Sequence, residues 1–488
     1  MDVAFPFSCR LYRKNAEASS TLGAGAIRGS GDFSQKKQLL HPLFMLDQLP
    51  PEILARVFEI GILAWGISYL PPICIVCSAF NDVAVTEPRL WGIVTLTKDS
   101  IPSLMETQIT KAKAAPLTVY VDRRVRNFKL YPVIQRLASL AENWVHADVP
   151  LSTLALCSSS DLAKSLLDLD LGRPVSGDYV SLANTFFGTL DSPIQTPRFK
   201  LRTFRAKELA KRWIIPFLSP QLVQLELCRL EEQDQALPNL FEILRLVPNI
   251  FSLKLEQIHY RVMDITTPPV HLPNLLNLDL VKVLFPSRIL TKIQAPSLTT
   301  LSISGSQPSN DDEEGLSAFF VEWFQERFLP THLHTLELID AVDKPSIPYL
   351  IRWLSRLKRL VRLTVRDDEV GEAALASDKS NLFTALATPS EEYDGWLLPS
   401  LMELRLDTGE MSVERDLTPI ARARGGIACL PQLDTLSEAF RPPGRLRFLE
   451  APLCPNGFEP EIEEIKGLSD VVICGCLGCS MNLNWDAL

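Results

Sequence analysis

Leu222-Val223-Gln224-Leu225-Glu226-Leu227 is one of a series of hexads with the pattern Leu-x-x-Leu-x-Leu. The spacing recurs at 201–206 (with Phe204 and Ala206), 250–255, 275–280, 298–303, 333–338, 360–365 and 401–406, and in a degenerate form at 446–451. Alternation with period 2 predicts a short strand in each hexad, with its leucines on one face and the intervening residues on the other. Successive hexads start 21 to 45 residues apart, and a proline often stands just upstream (Pro220, Pro248, Pro273, Pro296, Pro399). Helix-like segments lie between them, the clearest at 316–328 and 347–357. Each strand then buries its leucine pair against its neighbour, and the units share one continuous core.

This series resembles an irregular leucine-rich-repeat array, which implies an α/β solenoid of strand–helix repeats. On that reading the alternate strand residues line one solvent-facing surface: Gln224, Glu226, Ser252, Lys254, Asn277, Asp279, Thr300, Ser302, Thr335, Glu337, Arg362, Thr364, Glu403 and Arg405. The earlier repeats present more acid and the later ones more base, so a bipolar concave surface for a protein partner is expected. The plainer reading is that these are the polar faces of ordinary strands.

Upstream, Leu49-Pro50-Pro51-Glu52-Ile53-Leu54 leads into Val57-Phe58. Pro51 suits the first helical position and Glu52 the positive helix end. Ile53, Leu54, Val57 and Phe58 read as one apolar helix face. A second helix is predicted from Pro72, with Ile73, Val76, Phe80, Val83 and Ala84 as its stripe, closed by Glu87-Pro88 and followed by Leu90-Trp91. Two short helices cannot close a core alone, so part of this apolar surface needs a cover. These residues, about 45 of 488, are similar to an F-box, closest to those common in fungi. The resemblance implies a helical module docking on the Skp adaptor of a cullin-type ubiquitin ligase. The implied adaptor-facing and core positions are Leu49, Pro50, Glu52, Ile53, Leu54, Val57, Phe58, Val76, Phe80 and Trp91. The connector 61–70 is apolar where the family tends to be more polar.

A membrane span competes for this stretch, since Ile60 to Phe80 carries no charge over 21 residues. Pro71-Pro72, with Gly61, Gly66 and Ser68 before them, argues against it, because the freed backbone groups would have no water. Apolar content of 46% and charged content of 22% are ordinary for a globular chain, and a net charge of −9 speaks against nucleic acid and anionic membranes. The ten cysteines form no disulfide framework, and neither a secretory signal nor an Asn-x-Ser/Thr site occurs, which favours a cytoplasmic or nuclear setting.

Chemistry-bearing patterns are few. His332-x-His334 lacks a third zinc ligand by spacing, and Cys74-x-x-Cys77 lies on the predicted second helix, where packed thiols are expected. Cys474, Cys476 and Cys479, with Cys454 upstream, allow either a zinc site or a tail with incidental thiols. No nucleophile elbow, phosphate loop or zinc-protease helix is present, so no catalysis and no cofactor are expected. The expected organisation is a leader over 1–40, an F-box over 41–96, a linker or first irregular repeats over 97–200, repeats over 201–455 and a cap or tail over 456–488. The expected function is substrate recognition within a Skp–cullin–F-box ligase. Its partners are the Skp adaptor and, through it, cullin, together with a protein substrate. The alternative is a non-degradative interaction scaffold.

Overall fold

The structure, a computed structural model, describes residues 49–123, 125, 128–157, 159–172, 199–230, 236–259, 267–284, 286–305, 330–342, 347–366, 380–393, 395–407, 417–424, 443, 445–451 and 471–474. The expected leader, the helix-like segment at 316–328 and Cys454, Cys476 and Cys479 lie outside them. The chain is mixed α/β and divides into two compact units, with the boundary near Leu166.

The first unit opens with four helices, α1 (Pro51–Trp65), α2 (Leu70–Cys74), α3 (Ser78–Thr86) and α4 (Pro88–Trp91). Pro51 begins α1 and needs no N–H partner there. Gly66, at φ +78°, ends it and returns its N–H to the Ile62 carbonyl. The uncharged stretch is therefore broken rather than continuous, and no helix among the described residues is long and apolar enough to cross a membrane. Gly61 is required by a close approach: a Cβ there would lie 2.0 Å from the Tyr69 ring. That packing explains the apolar connector, since Trp65 stacks on Tyr69 and Leu70 is buried.

The single helix predicted from Pro72 is instead two. Cys77 adopts extended backbone and caps α3, which leaves Ile75 and Val76 in the turn between them. Beyond α4 come β1 (Ile93–Leu96), α5 (Pro102–Ala112), β2 (Leu117–Val121), α6 (Tyr131–Ala138), β3 (Trp144–Pro150), α7 (Leu151–Leu154) and α8 (Ser159–Ser165). The strands pair in parallel in the order β1-β2-β3. Residues 97–166 thus share a compact unit with the four N-terminal helices.

The second unit is a parallel sheet built from the hexads. Its strands are β4 (Asp168–Gly172), β5 (Thr203–Lys207), β6 (Gln224–Cys228), β7 (Ser252–Glu256), β9 (Asn277–Val281), β11 (Thr300–Ser304), β12 (Thr335–Ile339), β13 (Arg362–Arg366), β14 (Glu403–Asp407), β15 (Phe448–Ala451) and β16 (Val471–Cys474). They lie in chain order, while β8 (Val270–His271) and β10 (Ile293–Gln294) form a separate two-stranded pair. Register is constant from β5 to β14, so the leucine pairs 225/227, 253/255, 278/280 and 336/338 stack in two buried columns. The leading residues Leu222, Ile250, Leu275, Leu298, Leu333, Leu360 and Leu401 are buried as well. Helices α9 (Lys211–Ile214), α10 (Ala236–Arg245), α11 (Pro286–Leu290), α12 (Ile347–Leu354), α13 (Ser380–Ala387) and α14 (Thr418–Arg424) fall between strands. β16, inside the segment expected to be a cap or tail, extends the pairing, with Cys474 opposite Ala451.

The strand exits repeat one backbone device. Glu208, Arg229, Gln257, Lys282, Gly305 and Asp340 all have positive φ, and each N–H bonds the final carbonyl of the next strand in the sheet. Five of the six are residues that carry a Cβ into a region where it is strained. Gln257→Gly is accordingly expected to be neutral or to stabilise by up to about 1 kcal/mol, and Gly305→Ala to cost about 1 kcal/mol. In the latter the new Cβ would sit 3.0 Å from the yielding Lys282 side chain, so the backbone dominates. Urea unfolding of the second unit measures both, and a destabilised Gln257→Gly protein would contradict the argument.

Candidate partner-binding surfaces

In the first unit, Leu54, Phe58 and Ile62 recur at helical spacing on α1 and join Leu70, Ile73, Phe80, Val83, Ala84 and Leu90 in one closed cluster. Phe58 meets Phe80 edge-on, with ring centroids 5.2 Å apart. The face predicted as one is in fact two. Ile53 and Val57 stand about 100° round the helix from Leu54 and Phe58, and they remain 50% and 49% exposed. Ile60 continues their stripe at 56% exposure. Ile60 was legible as the i+7 partner of Ile53, although the motif does not include it.

The second predicted stripe also divides. Phe80 is core, whereas Val76 is exposed in the turn beside Ile75, which is 86% exposed. Trp91 turns inward: its Nε1–H donates to the Ala84 carbonyl oxygen at 2.9 Å and Lys111 lies over its ring. It ties α4 to the end of α3 rather than facing a partner. Leu49 packs against the cluster, while Pro50 and Glu52 are exposed at the start of α1. Cys74 and Cys77 pack against the same cluster.

The second surface is the solvent side of the sheet in the second unit. Constant register sets Arg205, Glu226, Lys254, Asp279, Ser302, Glu337, Thr364, Arg405 and Glu450 in one row across nine adjacent strands. Along it the charged residues run Arg205, Glu226, Lys254, Asp279, Glu337, Arg405 and Glu450, so opposite charges meet at both ends and the acids Asp279 and Glu337 follow one another in the middle. Glu226 takes Arg205 at 3.1 Å and Lys254 at 3.3 Å, and Lys254 also reaches Glu256 at 3.2 Å. At the other end Arg405 faces Glu450 at 3.5 Å. In the row beside it, Gln224, Ser252, Asn277, Thr300 and Thr335 lead to Arg362, whose guanidinium donates to Glu403 at 2.5 Å and holds that carboxyl below its usual range.

Asp279 behaves differently. Burial pushes its carboxyl up, against the pull of Lys254 and a hydrogen bond with Ser302. A carboxyl raised in the folded state favours folding most below the ordinary carboxylate pKa, and that contribution is lost as pH rises through the raised value. Ionised Asp279 is thus a cost to folding at neutral pH.

The remaining chemical candidates are engaged locally. His334 Nδ1 lies 2.6 Å from the His332 carbonyl oxygen, and the Arg359 guanidinium stands 3.2 Å from His332 Nδ1, an arrangement hostile to a bound cation. Among the described residues no group of three His, Cys, Asp or Glu could hold a metal. Burial pushes the Cys157 thiol up to about 12, which makes it inert.

No protein-family model and no curated protein matches this chain.

One residue without a motif has a large structural role. Arg424, at the end of α14, is fully buried, and its guanidinium donates to the carbonyls of Leu386, Leu397 and Leu398. Burial lowers its pKa to about 10, so it stays charged at neutral pH. Nothing in the local sequence marks it, because its acceptors are 26 to 38 residues away and are backbone atoms.

Proposed function

We propose that the chain is the substrate-recognition subunit of a Skp–cullin–F-box ubiquitin ligase. Helices α1–α4 act as the F-box, and the hexad strands form an irregular leucine-rich-repeat solenoid that holds a protein substrate. The observation that carries this reading is the stripe Ile53, Val57 and Ile60. These side chains stay exposed on a helix whose adjoining face is already closed by Leu54, Phe58 and Ile62. Exposed apolar groups at regular helical spacing are the signature of a docking face. The sequence resemblance names the adaptor as its occupant. The chain itself performs no chemistry; it raises the local concentration of substrate lysines at the ligase, in the cytoplasm or nucleus.

The test is co-purification of the full chain with a Skp-type adaptor, beside an Ile53→Asp/Val57→Asp variant. Interface anchors of this kind cost about 2 kcal/mol or more when lost, so the variant is expected to bind at least about 30-fold more weakly. Its circular dichroism should be unchanged, because both positions point to solvent. Equal binding by the variant, or none by the folded wild type, overturns the adaptor reading. Adaptor binding without cullin recruitment would make the chain a scaffold instead.

A further inference from the structure

The row of side chains on the sheet has a gap in its charge pairing. On one side, Arg205, Glu226, Lys254 and Glu256 form a linked chain of ion pairs. On the other, Arg362 is bonded to Glu403 and Arg405 faces Glu450. Between these groups lie Asp279, Ser302, Glu337 and Thr364, on four successive strands of the sheet. Lys254, the cation nearest Asp279, is already shared by Glu226 and Glu256. Glu337 has no hydrogen bond or ion pair among the described residues, and Arg362, which feels its charge, is committed to Glu403.

An independent observation lies at the next position. Thr364, in direct register with Glu337, is 4% exposed, and its Oγ1 has no hydrogen-bond partner. A buried hydroxyl left unsatisfied costs free energy that a donor from outside would recover. The gap therefore offers two carboxylates and two hydroxyls, one of them orphaned; at its edge Arg405, in register with Thr364, faces Glu450 at 3.5 Å while its Nε makes no hydrogen bond. Asp279 and Glu337 stand two strands apart, about 10 Å at the backbone. No group of three His, Cys, Asp or Glu that could hold a metal ion occurs among the described residues, and the separation suits extended side chains.

We infer that this gap receives a basic segment of the protein partner, whose lysine or arginine side chains lie between Asp279 and Glu337 and reach Thr364. The inference rests on the reading of this face as a partner surface and names the chemistry it selects. An acidic segment is repelled here, whereas a guanidinium both neutralises a carboxylate and donates to a neighbouring hydroxyl.

The probe is a fluorescein-labelled hexa-arginine peptide, titrated into the full chain by fluorescence anisotropy at 150 mM salt. An Asp279→Asn/Glu337→Gln variant is compared with an Asp99→Asn/Glu391→Gln control, in which two exposed acids elsewhere lose the same charge. The first variant is expected to weaken binding at least tenfold and the control less than twofold. Equal weakening in both, or no binding by wild type, overturns the inference, the former by revealing general attraction to a chain of charge −9. The melting temperature of the Asp279→Asn/Glu337→Gln protein should equal or exceed that of wild type, which excludes unfolding as the cause. A photocrosslinker at the exposed Asn277 separates this inference from the reading beneath it. Partner crosslinks that persist in the Asp279→Asn/Glu337→Gln protein remove the basic-segment inference and leave the face a binding surface; no crosslinks at all remove both.

Discussion

Replacing Phe58 with alanine is expected to destabilise the N-terminal helices by about 3–5 kcal/mol, while the same change at adjacent Val57 costs under about 0.5 kcal/mol. The two residues sit side by side in a single apolar run and would be indistinguishable by hydrophobicity. Phe58 is 3% exposed, packs edge-on against Phe80, and belongs to the cluster that holds α1, α3 and α4 together. Its removal loses the transfer free energy of a ring and leaves a cavity between short helices. Those helices have little else to support them, since a helix such as α4, of four residues, does not persist without tertiary contacts. Val57 faces water and gives up almost nothing. Hydrogen exchange of the amides in 51–91 reads both changes, with expected loss of protection only in Phe58→Ala. Similar protection in the two variants would refute the division of the helix into a core face and an exposed apolar face.

Arg424→Met is expected to cost about 3 kcal/mol in the second unit. Two effects oppose one another. Removing a buried cation recovers its desolvation penalty, and apolar replacements of buried charges are sometimes neutral for that reason. Here, however, the partners are three backbone carbonyls that remain in place when the guanidinium is gone. Each buried carbonyl left without a donor costs about 1–3 kcal/mol, so the sum outweighs the recovered solvation. Leu386 lies in the last turn of α13, where carbonyls without a helical partner favour a cation, and Leu398 has positive φ. The arginine thus holds a helix end and a strained turn together. Arg424→Lys restores the charge without the fork and is expected to recover about half of the loss. Urea unfolding, followed by exchange protection over 380–398, measures the series. A Met variant within 0.5 kcal/mol of wild type would show that water or relaxation satisfies the carbonyls.

The strands were legible in the sequence because their signal is local. Leu225 and Leu227 alternate with Gln224 and Glu226, and period 2 needs no knowledge of the neighbours. The same holds for the start of α1 at Pro51, where the proline itself sets the boundary. The break after α2 was not legible. Ile73, Val76 and Phe80 keep a helical spacing, but the turn at Ile75–Val76 arises from packing Ile73 and Phe80 into one cluster from two short helices. β16 was missed although Leu468-x-x-Val471-x-Ile473 keeps the hexad spacing, and its pairing with β15 sets Val472 and Cys474, not Val471 and Ile473, opposite Leu449 and Ala451.

On the surfaces, the residue identities were readable and their electrostatic partners were not. Glu226, Lys254, Asp279 and Glu337 could be placed on one face from alternation alone. Which of them neutralise one another depends on register across strands 23 to 35 residues apart in the hexad series, and a shift of one position would send every charge to the core. Local periodicity therefore determined the α/β class, the strands and the polar rows of this protein. The division of α1 into core and exposed apolar faces, the clamp at Arg424 and the unpaired acids on β9 and β12 were decided by contacts between distant segments, because burial and ion pairing depend on neighbours in space that no local pattern encodes.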